Sequence, residues 1–546
     1  METVIIVLVL LAGVVISNAI TQALPIPIPT PLIQICVGYF ISAVADFGVI
    51  LRPELFFFLF LPPLLFLDGW RIPKEGLKRD KWTILEMALG LVVFTVIGVG
   101  FFIHWLIPAI PLAVAFALAA IMSPTDPIAV SAITERITVP KRLMHILEGE
   151  SLLNDASGLV SMRFAVAAAM TGTFSLLAAF LTFLWTALAG LAIGAATTFL
   201  ITRTLNLWTK RFEEETGSQI VISLLIPFIA YLAAEQIEAS GILAAVAAGI
   251  SMSFTENSLR NMAATRIRRL AVWDTLQFVA NGIIFVLLGE QLPQIIGDAR
   301  IVFEPIDHQH LIWLFIYVIA IYFALVALRF LWVWLSLRFN LARANRKRAR
   351  PFVPGWRLIA ATSLAGVRGT ITLAGILTLP LLLPNGEPFP ARDLAIFLAA
   401  GVIVLSLLIA SISLPYLLCN LKLPPEPSQQ KEEEKAQAAA AEAAIKAIEQ
   451  EVHSLSEGRK DADLYATAGT RVMQIYRQRL TELSGSDEET ALAQTMTKIE
   501  RRLHLKALRA QRIVYYNCKK RHQLSEESAD KFLGAIDLLE THFTNV

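Results

Sequence analysis

The chain has 546 residues, 55% hydrophobic and 17% charged, with a mean hydropathy of +0.61 and a formal net charge of +2. These values exclude an ordinary soluble domain of this length, while the net charge by itself says nothing about nucleic acid, because the placement of the charges matters more than their sum. Of its 47 basic and 45 acidic residues, 39 fall in 421–546, so the sequence divides into an apolar membrane domain, 1–420, and a soluble tail, 421–546.

Roughly 20 apolar residues cross a hydrocarbon core of about 30 Å. In chain order, thirteen stretches meet that rule: 3–20, 32–50, 54–70, 82–107, 111–134, 143–170, 176–202, 218–236, 240–254, 271–296, 311–337, 358–384 and 393–420. The first has no Lys or Arg before it and no small-residue cleavage site, so a retained helix is expected rather than a signal peptide. Loops after the odd-numbered spans from three to eleven carry 22 Lys and Arg, whereas the opposite loops carry only Arg52, Arg300 and Arg392. Positive loops stay in the cytoplasm, which puts the N-terminus outside and the tail inside. Spans one to six and eight to thirteen then run in opposite directions, the pattern of an inverted six-helix repeat.

Asp126 and Asp155 lie well inside these spans, and an intramembrane ionisable group marks a functional site by default. Asp126 stands in Ser123-Pro-Thr-Asp-Pro127. Pro124 and Pro127 lack amide hydrogens and deprive the carbonyls of Ala120 and Ser123 of helical partners. Freed carbonyls in a dry core are tolerated where they line a cavity or bind a cation. Thr125 and Asp126 complete such an oxygen-rich break; a plain kink with a solvated Asp is the alternative. Span twelve carries a matching interruption, Gly366 and Gly369, with the same three-residue spacing.

Asp155 stands in Gly149-Glu-Ser-Leu-Leu-Asn-Asp155. Helical geometry stacks Glu150 under Asn154 and Ser151 under Asp155, within about 140° of helix surface. That face must look inward, as an ion site or as a hydrogen-bond network of neutral carboxyls. Arg368, also mid-span, is the expected counter-charge. For Arg163 and Arg329, pairing or snorkelling is expected ahead of transport chemistry. His104 and His145 read as structural, and Asp68 as facing water or a funnel toward the site. Cys36, Cys419 and Cys518 lie too far apart for a disulfide framework or a zinc site.

The segments Phe58-Leu-Phe-Leu-Pro-Pro-Leu-Leu-Phe-Leu-Asp68, Ser123-Pro-Thr-Asp-Pro-Ile-Ala-Val130, Gly149–Asp155 and Gly366-Val-Arg-Gly369 resemble the signature motifs of the monovalent cation/proton antiporters, in the branch of bacterial sodium/proton antiporters and animal sodium/proton exchangers. The resemblance covers residues 1–420. It implies an all-α membrane protein of thirteen transmembrane helices with inverted repeats and interrupted crossing helices, assembled as a homodimer through spans one to three and eight to ten. It implies a cation/proton site of Asp155, Asp126, Ser151, Asn154 and a Thr125 backbone oxygen, holding Na⁺, K⁺ or Li⁺, with Glu150 and Arg368 as a structural ion pair and Asp68 as an access-path acid. It further implies a secondary transporter of the bacterial inner membrane rather than an enzyme. One proton would exchange for one cation at Asp155, electroneutrally, in an elevator mechanism; the electrogenic branch has two adjacent aspartates where this chain has Asn154 and Asp155.

A cation channel and an intramembrane aspartyl protease are the competing functions. The chain lacks a four-fold selectivity loop, and Gly-any-Gly-Asp is missing around both acids. No cofactor and no nucleic-acid partner are expected, only the ions, membrane lipids and a second copy. In the tail, helical patterns over 431–450, 464–483, 489–515 and 524–542 point to a cytosolic helical regulatory domain. Its stretch Lys498 to Arg521 is basic, with a solvated helix face as the default reading.

Overall fold

A computed structural model describes residues 2–24, 28–44, 53–72, 83–134, 141–171, 176–209, 211, 215–255, 263–303, 312–346, 355–384, 386–419, 427–456, 462–484, 487–521, 528, 532–537 and 539–540. The chain forms two compact units, Met1–Leu421 and Lys422–Val546.

The first unit is a bundle of helices. They are α1 (Glu2–Ala23), α2 (Thr30–Val44), α3 (Pro53–Arg71), α4 (Glu86–Leu91, wound as a π turn), α5 (Val92–Leu106), α6 (Leu112–Met122), α7 (Pro127–Thr134) and α8 (Lys141–Thr171). There follow α9 (Leu176–Thr209), α10 (Thr216–Glu235), α11 (Gly241–Thr255), α12 (Ala263–Phe303), α13 (Ile312–Arg346), α14 (Trp356–Leu364), α15 (Thr370–Leu377) and α16 (Arg392–Leu418). Among the described residues seven helices are long and apolar enough to cross a membrane, and Thr30–Val44, Leu112–Met122 and Gly241–Thr255 are shorter apolar helices. Large apolar side chains such as Leu8, Phe101, Trp105 and Leu200 are exposed on them. Such a surface suits lipid rather than water.

Two helix crossings are built on glycine pairs. Where α2 meets α12, a Cβ on Gly38 would strike the Val286 carbonyl, and one on Gly289 would strike that of Ile35. Where α3 meets α11, Gly69 lies against the Val246 carbonyl and Gly249 against that of Phe66. In both, each glycine faces the carbonyl three residues before the other. Between lipid-solvated helices, close backbone approach of this kind replaces the hydrophobic effect as the source of association.

The stretch 358–384 is not one helix: it breaks after Leu364 and stops at Leu377, short of the expected end. Pro380 has no amide hydrogen and disfavours helix at Leu379, and the chain turns back through an isolated bridge between Leu382 and Pro388. At the other extreme α9, α12 and α13 run past their apolar stretches to Thr209, Phe303 and Arg346.

The second unit contains α17 (Pro427–Ser456), α18 (Ala462–Ser484) and α19 (Asp487–Lys520). The first two pack as an antiparallel pair, with Val452 filling the space beside Gly469 and Glu449 lying 3.9 Å from Arg477. Residues 532–537 and 539–540 are helical and pack on α19, where Tyr515 stacks on Phe532 with ring centroids 5.1 Å apart.

Candidate functional site

Two helix breaks meet. The first begins after Met122, where Pro124 cannot donate and restricts Ser123, and ends at Pro127, the first residue of α7. Proline suits that position because its missing amide would be unpaired there anyway. Asp126 caps α7, its Oδ1 accepting from the Ala129 amide at 3.3 Å. The second break, Ala365–Gly369, separates α14 from α15. The Asp126 amide donates to the Val367 carbonyl at 2.8 Å and so ties one break to the other. Arg368 reaches back across the joint, its Nη1 donating to the Pro124 carbonyl at 3.2 Å, while its own amide donates to Ser406 Oγ at 3.1 Å. Gly369 is required at this crossing, because a Cβ there would run into the Asp126 carboxylate.

Two carbonyls around the break accept from serine hydroxyls. Ser123 Oγ donates to the Ala120 carbonyl at 2.8 Å, and Ser151 Oγ, from α8, donates to the Thr125 carbonyl at 2.8 Å. Asn154 Nδ2 donates to Thr125 Oγ1 at 3.1 Å and, more weakly, to Glu150 Oε1 at 3.5 Å. Gly158, one turn further along, leaves room for the Pro124 ring. Sequence reasoning put Glu150, Ser151, Asn154 and Asp155 on one inward face; all four are buried, with exposures of 3% or less.

Between the first break, α8, α3, α12 and α15 lies a small cavity. Its wall includes Asp68, Thr125, Asp126, Ser151 and Asp155, together with Asn281, Gly369 and Thr372. About 20 Å³ is open to the centre of a water-sized sphere, room for roughly one water molecule. Three carboxyl groups and four uncharged polar side chains thus converge on space for one small particle. Asn154 stands outside that wall, behind Thr125, and its Oδ1 is buried with no hydrogen-bond partner among the described residues. Asn281 and Thr372 were not anticipated. A polar residue within an apolar helix is the signal that marks each.

The expected pairing of Glu150 with Arg368 is not what the structure has. Glu150 is held by Arg329 of α13, whose Nη1 and Nη2 donate to Oε1 and Oε2 at 2.5 and 2.8 Å, and whose Nε donates to the Thr362 carbonyl at 3.1 Å. The reason is geometric. Arg368 lies in the break and is turned toward Pro124, whereas Arg329 comes across at Gly366, where a side chain would crowd its Cδ at 2.9 Å. Both partners are buried, Glu150 at 0% and Arg329 at 2% exposure, and the planar fork satisfies both carboxylate oxygens. Arg163 is paired too, with Glu235 of α10 at 3.4 Å. His104 Nδ1 lies 2.8 Å from the Ile110 carbonyl, in keeping with a structural role.

With this geometry in hand, the family description "Sodium/hydrogen exchanger, transmembrane" matches residues 5–419. The chain belongs to the sodium/hydrogen exchanger family. This exchanger is 42% identical, over 99% of its length and 98% of the other's, to an Escherichia coli (strain K12) protein described as the uncharacterized Na(+)/H(+) exchanger YjcE. It is 43% identical to a Bacillus pumilus (strain SAFR-032) protein described as a sodium, potassium, lithium and rubidium/H(+) antiporter; that match covers 76% of this chain and 61% of the relative. Among solved structures, the sodium proton antiporter MjNhaP1 from Methanocaldococcus jannaschii shares the fold, with a TM-score of 0.58 at 17% identity, covering 77% of this chain and 99% of that one. Family membership makes the exchanger a membrane transporter rather than an enzyme, and neither the channel nor the protease alternative gains support from these matches.

Proposed function

We propose that the protein exchanges a monovalent cation, Na⁺ first and K⁺ or Li⁺ also, for one proton, with Asp155 as the carboxylate for which the two ions compete. The observation that carries this reading is the cavity lined by Asp155, Asp126, Asp68, Ser151 and Thr125, with room for about one small particle. Oxygen ligands from carboxylates and hydroxyls suit hard cations. Asp126 and Ser151 would share the cation with Asp155, and Thr125 would offer an oxygen from the break. Asn154 would position Thr125. The Bacillus relative's four-cation description is the reason to extend the cargo beyond Na⁺.

The thirteen-span inverted repeat belongs to the same proposal and has support beyond the sequence. If spans one to six repeat as eight to thirteen, α2 corresponds to α11 and α3 to α12. The crossing of α2 with α12 then maps onto that of α11 with α3, and these are the two crossings that use the same reciprocal glycine pair. The two breaks correspond in the same way and are joined through Asp126 and Val367. Orientation follows the placement of Lys and Arg, with the N-terminus outside and the tail cytoplasmic, in the inner membrane of a bacterium and as a homodimer. The test is proton flux in sealed proteoliposomes on addition of Na⁺, K⁺ or Li⁺. Cation-driven proton movement supports exchange; cation conductance without proton counter-flow would replace it with a channel.

A further inference from the structure

The tail helix α19 (Asp487–Lys520) has two apolar faces, and among the described residues only one of them is covered. On the inner face Leu508 is 6% exposed, Tyr515 stacks on Phe532, and Arg512 pairs with Asp537 and, at 2.5 Å, with Glu540. On the opposite side Met496, Ile499, Leu503, Ala507, Ala510 and Val514 recur at three- and four-residue intervals and form one stripe. The larger of these are open: Met496 59%, Ile499 52%, Leu503 61% and Val514 57% exposed. Arg502 and Lys506, four residues apart, lie beside the stripe on one flank, and from 498 to 521 the sequence has nine Lys and Arg against a single acid, Glu500.

We propose that this face of α19 docks on the anionic phospholipid surface of the bilayer that holds the membrane domain. An apolar stripe flanked by basic residues is the arrangement that seats a helix in the headgroup region, with aliphatic side chains in the acyl boundary and cationic heads among the phosphates. Charge complementarity favours lipid over a second copy of the chain, since two such faces packed together would bring like charges together. A chain already embedded in a bilayer also meets that surface at high effective concentration. The inference rests on the cytoplasmic placement of the tail only for the choice of leaflet.

The test uses the full chain with Ala510→Cys, in a background where Cys36, Cys419 and Cys518 are replaced by Ser, labelled with an environment-sensitive fluorophore. Reconstitution is into nanodiscs of phosphatidylcholine alone or with phosphatidylglycerol. The expected result is a blue shift and loss of quenching by aqueous iodide only in the anionic discs, reversed by high salt and absent in Arg502→Gln/Lys506→Gln. Equal protection in both lipids would mean that protein covers the stripe, and equal exposure in both would mean that water does; either overturns the proposal. Protection that appears only when two copies share a disc, whatever the lipid, would assign the face to a second copy and overturn it as well. Cation/proton exchange by the same preparations reports separately on the transport reading, so the two can fail independently.

Discussion

Arg329 grips both oxygens of Glu150, at 2.5 and 2.8 Å, across 179 positions of sequence, and Arg368 takes no part in that pair. A buried pair of this kind is costly to break from one side, by about 3–5 kcal/mol, because the remaining charge is left unpaired. Glu150→Gln and Arg329→Gln should therefore each lower thermal stability strongly. The double variant should be distinctly more stable than the sum of the two losses, as thermal unfolding of the purified variants in detergent will show. The same cycle with Arg368→Gln in place of Arg329→Gln should show much weaker coupling, because Arg368 hydrogen-bonds the Pro124 carbonyl instead.

Gly369→Ala should lower transport far more than it lowers stability. The added methyl would meet the Asp126 carboxylate and push it from the cavity wall, a displacement confined to the joint between the two breaks. Transport assays beside melting curves separate the two effects; full exchange by Gly369→Ala would mean that the position of Asp126 is not critical.

The helix breaks were legible in the sequence because proline and glycine act locally. Pro124 with Pro127, and Gly366 with Gly369, put two helix-weakening residues three positions apart, a pattern visible without knowledge of the fold. The stacked face of α8 was legible for the same reason, since helical periodicity alone puts Ser151 beside Asp155. The partner of Glu150 was not, because two arginines outside α8, Arg329 and Arg368, lie within apolar stretches and nothing in their own neighbourhoods says which one crosses to α8. That choice is made by Gly366, which clears the path for Arg329. Asn281 and Thr372 escaped notice because a single Asn or Thr in a membrane helix is commonplace, and only the fold brings them to the cavity.

Exchange should be insensitive to membrane potential. One proton crossing against one monovalent cation moves no net charge, whereas a net charge would feel about 2.3 kcal/mol per 100 mV. In proteoliposomes held at different potentials with potassium and valinomycin, the zero-flux pH gradient for Na⁺ exchange should stay fixed. A gradient that moves with potential would require a second charge-bearing group, with Asp68 and Asp126 the first suspects because they share the cavity wall.

Removal of residues 425–546 should leave exchange intact in mechanism and altered in rate or pH response, as every side chain of the cavity wall lies in the first compact unit. Initial rates across a pH series, compared at equal protein per vesicle, read this out. Abolished exchange in a truncation that still inserts into the membrane would make the tail part of the transport machinery.

The most direct test is exchange by purified Asp155→Asn in sealed proteoliposomes. The amide keeps the size of the buried side chain but neither ionises nor carries a proton, so Na⁺-, K⁺- and Li⁺-driven proton movement should all fall to the level of empty vesicles while the protein stays folded. In the unmodified protein, competition predicts that raising the proton concentration raises the cation concentration needed for half-maximal rate. Appreciable cation-driven proton flux through Asp155→Asn would contradict the account and move the exchanging carboxylate elsewhere.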